Sequence, residues 1–124
     1  MGIDYDSNAV LGWGIDEMNE DKFRKVLKEV FNYEKADDFS FWQHEDIEEA
    51  EEKICGHFGP FRLILTGNFY CDTADAFVLL FGKNCEGTQL AEINDWFETN
   101  KEIILKIEEI MEEPPRFVNE WTVW

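Results

Sequence analysis

The spacing of apolar residues changes period repeatedly along the chain, and each change marks an element. Ala9, Leu11, Trp13 and Ile15 alternate with Val10, Gly12 and Gly14, a period of two that predicts a strand with one face of large side chains. Glycines on the opposite face point to close approach of a neighbouring backbone. Phe23, Val26, Leu27, Val30 and Phe31 then recur at helical spacing and predict an amphipathic helix over 20–33. Asn19 is its expected N-cap, with Glu20 and Asp21 placed to complement the helix dipole. Ser40-Phe41-Trp42-Gln43 has the S-x-x-Q form of a capping box, and Ile47, Ala50, Ile54 and Phe58 supply a thin apolar line behind it. A second helix is expected over 43–55, ending at Gly56 and so polar that it must lie on the surface.

The segments 61–66 and 76–81 read as two strands, the second a continuous apolar run of the kind buried on both faces. The turn formers between them, Thr66-Gly67-Asn68 and Cys71-Asp72-Thr73-Ala74-Asp75, predict an antiparallel pair. Leu90, Ile93, Phe97, Ile104, Ile107 and Met111 then mark a helical stretch over 89–113. Thr99-Asn100-Lys101-Glu102 is itself a capping box within it, so one long helix and two shorter ones fit equally. Pro114 ends the stretch, and Phe117, Asn119, Trp121 and Val123 alternate with Val118, Glu120 and Thr122 as a last strand. The expected fold is α+β, a two-layer sandwich with helices on a mostly antiparallel sheet of about four strands in the order β-α-α-β-β-α-β. Residues 1–124 form one domain, without repeat or linker. Trp13 and Trp121, on strand faces with other large residues, are assigned to the core.

Composition changes this picture in one respect. Aromatic residues make up 15% of the chain, too many for a disordered acidic segment, but 28 Asp and Glu stand against 11 Lys and Arg, a formal charge of −17. The excess is shared almost evenly between the two halves of the chain, so it belongs to the folded body and opposes its compaction. A phosphate backbone or an anionic bilayer demands a basic footprint, so direct binding to nucleic acid or membrane is not expected. No apolar run reaches the roughly 18 residues of a membrane span and no basic-then-apolar leader opens the chain, so a cytoplasmic location is expected.

The densest charge lies in the second helix. Glu45, Asp46, Glu48, Glu49, Glu51 and Glu52 place six carboxylates in eight residues with no intervening base. At about 1.5 Å of rise per residue this is one charge per roughly 2 Å of axis, close to the one per about 1.7 Å of duplex DNA. One reading is a surface that imitates the phosphate backbone; the other is a solvated helix face. Trp42, just ahead of this helix, is either an interface anchor beside the charge or a hydrophobic staple beneath the helix. Cys55, Cys71 and Cys85 with His44 and His57 are the soft ligands, but Cys55-Gly56-His57 lacks the C-x-x-C knuckle of a structural zinc site, and no metal or other cofactor is expected. Asp72 and Asp75 could pair as acid and base, yet turn formation explains them, and no nucleophile or phosphate-loop motif is present. Lys22, Arg24, Lys25 and Lys28 concentrate four bases on the first helix, where pairing with neighbouring acids relieves repulsion.

The opening Met1-Gly2-Ile3-Asp4-Tyr5-Asp6-Ser7, followed by a short glycine-containing strand, resembles the start of small acidic bacteriophage and prophage accessory proteins over about the first 15 residues. The resemblance implies action in the host bacterial cytoplasm, in a class where such domains act as inhibitors of host defence, anti-CRISPR and anti-restriction DNA mimics among them. It carries no functional residue over. The resulting expectation is a non-enzymatic inhibitor that binds a basic nucleic-acid-binding protein, such as a CRISPR or restriction component, through Trp42, Glu45, Asp46, Glu48, Glu49, Glu51 and Glu52. The competing expectation is a structural or assembly protein of a phage or complex, acidic for incidental reasons.

Overall fold

The computed structural model describes residues 5–55, 60–71, 73–85 and 90–123. The fold is α+β, as the periodicities predict. Strands β1 (Tyr5–Ile15), β2 (Arg62–Asn68), β3 (Phe77–Asn84) and β4 (Arg116–Val123) close into a small barrel in the order β1-β3-β2-β4. Helices α1 (Glu20–Glu29), α2 (His44–Cys55), α3 (Leu90–Thr99) and α4 (Lys101–Met111) complete it. The pairs β1–β3, β2–β3 and β1–β4 are antiparallel, and β2–β4 is parallel. The terminal strands are therefore neighbours, joined over Tyr5–Gly12 and Arg116–Val123.

The expected third helix is two helices, which changes the order to β-α-α-β-β-α-α-β. The break falls at Asn100, whose backbone leaves helical geometry (φ −110°, ψ 16°) while its side-chain amide donates to the Trp96 carbonyl at 2.9 Å. Asn100, one residue after the expected Thr99, is the N-cap of α4. The first helix also ends earlier than its apolar stripe, at Glu29, because Asn32 adopts a left-handed backbone (φ 52°) and turns the chain. Asn19 sits at the N-cap position, but its side chain bonds backwards, donating to the Gly14 carbonyl at 2.8 Å and accepting from the Asp16 amide at 2.9 Å. It fastens α1 to the end of β1.

Alternation sorts the barrel into two cores. Val10, Leu80 and Val118, with Ile64 and Val78, fill the inside. Closing so few strands requires sharp coiling and close backbone crossing, which Gly12 and its cross-strand partner Gly82 permit. A Cβ on Gly12 would lie 2.0 Å from the Phe81 carbonyl oxygen, a backbone atom that cannot move aside. The outward faces of β1, β2 and β3 meet the helices in a larger aromatic core. Phe81 is its hub, with ring centroids 5.0 Å from Phe23, 5.3 Å from Phe61 and 5.7 Å from Trp13. Full burial of β3 residues Leu79, Leu80 and Phe81 explains why that strand reads as an unbroken apolar run.

Trp121 lies outside the core expected to hold it. Trp13 is fully buried and donates its indole N–H to the Glu113 carbonyl at 2.9 Å, but Trp121 is 58% exposed and Phe117 is 65% exposed. Both occupy the outer face of β4, opposite Ser7 and Leu11 of β1. The narrow interior accepts only the smaller alternate residues, Val118 and Thr122, which are buried. Large side chains on the strand must therefore point outward.

Candidate protein-binding face

The acidic helix is positioned by the segment before it. Phe39 and Phe41 are buried, and the Glu20–Arg24 pair of α1 clamps the chain between them. Arg24 Nε donates to the Phe39 carbonyl at 2.8 Å, and a Glu20 oxygen accepts the Phe41 amide at 2.8 Å. The helix then begins at His44, with Ile47 N–H donating to the Gln43 carbonyl at 3.1 Å. The capping residue is thus Gln43 in place of the expected Ser40. Asp46, in the first turn, reaches back to accept the Ser40 amide at 3.0 Å. The Ser40 amide that the S-x-x-Q pattern assigns to Gln43 is thus taken by an acid inside the helix, and with the helix starting at His44 that amide lies ahead of it.

The six carboxylates divide by face. Asp46, Glu49 and Glu51 are half-buried and engaged: Glu49 pairs with Lys35 at 2.5 Å, and Glu51 accepts the Leu63 amide at 2.7 Å and Arg62 Nε at 3.2 Å. The hydrogen bond and charge of Glu49 hold the Lys35 ammonium above the ordinary lysine range. Nearby, burial raises the Tyr33 phenol, with Glu49 the next cause. Glu45, Glu48 and Glu52 are exposed and occupy one row at three- and four-residue spacing. Glu48 lies 2.9 Å from His44 Nε2 on the same surface. The free charge is therefore sparser than the sequence count: along the axis the row carries one carboxylate per about 4.5–6 Å, against about 3.4 Å for a single strand of a duplex.

Trp42 belongs to neither extreme. It is half-buried at the edge of the aromatic core, its ring stacked on Phe77 with centroids 6.4 Å apart, and Phe77 in turn meets Phe69 at 5.2 Å. The structure thus brings Trp42 to the foot of α2 but packs one side of its ring. Beyond Phe77, Phe69 borders a groove of about 530 Å³, lined by His44, Ile47, Glu48 and Glu51 of α2, by Arg62–Leu65 of β2 and by Phe69 itself, just past the strand's end. Nothing in the strand-like run Arg-Leu-Ile-Leu-Thr distinguishes an edge from an interior strand, so this groove escapes sequence reasoning. The apolar pair Phe69-Tyr70 in a turn, 38% and 67% exposed, is the signal that points to it.

Cys71 is exposed, whereas Cys85 is half-buried and burial raises its thiol above the usual value. Asp75 is exposed within a short 3-10 turn, Ala74–Ala76; Asp72, Gly56, His57, Phe58 and Trp124 lie outside the described residues. Among the described residues, no group of three or more His, Cys, Asp or Glu is arranged to hold a metal ion, and no helix is long and apolar enough to cross a membrane. In comparisons with known proteins, the chain matches no family model, no curated protein and no solved structure.

Proposed function

We propose that the protein acts by binding, and that the exposed row Glu45, Glu48 and Glu52 engages the nucleic-acid-binding surface of a basic protein. The carrying observation is the division of labour on α2: Asp46 and Glu51 accept backbone amides and Glu49 pairs with Lys35, whereas Glu45, Glu48 and Glu52 stand in one solvent-facing row whose one neighbouring base is His44 of the same helix. A net charge of −17 steers a basic partner towards such a row and repels anionic competitors. Occupying the place of a phosphate strand makes the protein an inhibitor, without chemistry or cofactor. The resemblance of its amino end to phage accessory proteins supports a host-defence effector, such as a CRISPR or restriction component, as the partner and the bacterial cytoplasm as the place of action. Charge reversal tests this reading. With a partner recovered from host lysate, Glu45→Lys/Glu48→Lys/Glu52→Lys lowers affinity by roughly a hundredfold or more, and added salt weakens the wild-type complex steeply. Unchanged affinity of a folded triple variant rejects it.

A second reading, a structural or assembly protein, draws on a different observation. Phe117 and Trp121 form an exposed aromatic face on β4, flanked by the uncharged Ser7 and Asn119. In a chain so acidic, this is a face that another subunit could approach without charge repulsion. Sedimentation of wild type against Trp121→Ser separates the two, since only the assembly reading requires an oligomer that this change dissolves.

A further inference from the structure

The groove beside α2 runs along an incomplete sheet seam. β2 pairs with β3 through Arg62–Gly67, but its parallel ladder to β4 covers only Gly67 and Asn68. Over Arg62–Thr66 no described residue of β4 continues that ladder. The Leu63 N–H already points away from β3, to the Glu51 carboxylate at 2.7 Å. Backbone alternation turns the Leu63 carbonyl and both polar groups of Leu65 the same way, into the seam. The lining of the groove agrees, because Leu63, Ile64 and Leu65 all contribute to it. Successive residues of a strand face opposite sides, so a groove that touches all three follows the strand's edge.

We infer that this edge of β2 takes an extended segment of the basic partner as an added strand, with alternate apolar side chains in the groove and Lys or Arg directed to Glu48. The occupant follows from charge and shape. Ile47, Leu63, Ile64, Leu65 and Phe69 make the groove apolar; its one arginine, Arg62, is paired with Glu51 at 3.2 Å, which leaves Glu48 of the exposed acidic row as the carboxylate offered to a cation. An edge offers main-chain hydrogen bonds that an extended chain alone can satisfy, and pockets for every second side chain. Alternating apolar and cationic residues match both features at once. Glu51 occupies the Leu63 amide and so sets where pairing starts, at the Leu63 carbonyl and Leu65. The inference rests on the proposal that the α2 face binds a basic protein, and adds how the partner's chain is held.

The probe is a fluorescein-labelled octapeptide alternating valine and lysine, compared with the same peptide N-methylated at every second backbone nitrogen, in both registers. Edge pairing predicts saturable anisotropy with the first peptide, at least tenfold weaker binding in one methylated register, and slower hydrogen exchange of the Leu65 amide on binding. Leu65→Arg, checked for fold by circular dichroism, should weaken binding by a similar factor; if it unfolds, the exchange measurement on wild type stands alone. Equal affinity of all three peptides overturns strand addition. The acidic-row proposal survives that result if Glu45→Lys/Glu48→Lys/Glu52→Lys still abolishes binding, and fails with it if the triple reversal has no effect. No binding by any peptide also overturns the inference, leaving the host partner to decide the parent proposal.

Discussion

The inward and outward acids of α2 are chemically alike and a residue or two apart, yet they do different work. Glu51 is 27% exposed at its side chain and ties the helix to β2, whereas Glu52 next to it faces solvent. Asp46 fastens the segment before the helix, whereas Glu45 beside it has no such task in the described contacts. A charged run therefore cannot be read by its length. Carboxylates that satisfy backbone amides stabilise the fold they repel, and only the remainder is available to a partner.

Substitutions can break this contrast directly. The largest effect is expected at Glu51, where Glu51→Ala strands the amide of buried Leu63 and costs about 1–3 kcal/mol, measured by urea denaturation. Glu52→Ala should stay within about 0.5 kcal/mol of wild type. A loss of equal size at both positions would erase the distinction between the two rows. Asp46→Ala, which frees the Ser40 amide, should cost roughly 1 kcal/mol, near the value of a lost helix cap, with Glu45→Ala as its silent counterpart.

The smallest effect is a pH dependence. The Lys35 ammonium is held above its ordinary value by its hydrogen bond to Glu49, so the folded state binds that proton more tightly than the unfolded chain does. Its contribution is fully present below the unfolded lysine pKa of about 10.4 and is lost as pH rises through the higher folded value. The difference in melting temperature between wild type and Lys35→Gln should be constant from pH 7 to about 10 and shrink above that. Because Lys35 is exposed and Glu49 only half-buried, high salt should shrink it too. A difference that is unchanged in alkali would show that Lys35 acts through packing alone.

Much of the fold is legible in local pattern. Alternation locates β1 and β4, helical spacing locates α1 and α2, and the unbroken run of β3 announces burial on both faces. The glycines of β1 are legible as well, since Gly12 crosses β3 where no Cβ fits. Trp13 and Trp121 show the limit. Each stands in a run of alternating residues, but helices cover the first and none of the described helices covers the second, and that depends on residues far away in sequence. The break at Asn100 and the shifted cap at Gln43 moved by one and three residues because side chains near a helix end choose among several backbone partners: Asn100 takes the Trp96 carbonyl and Asp46 the Ser40 amide.

By itself the sequence determined the element types, the α+β class and a surplus of negative charge concentrated in one helix, because periodicity and composition are local properties. Tertiary structure alone decided that the barrel closes with its terminal strands paired, that β2 meets β4 over only two residues, and that Asp46 and Glu51 of the helix acids are committed to backbone amides. Those outcomes depend on which distant backbone groups and side chains meet, and a linear pattern carries no record of a meeting.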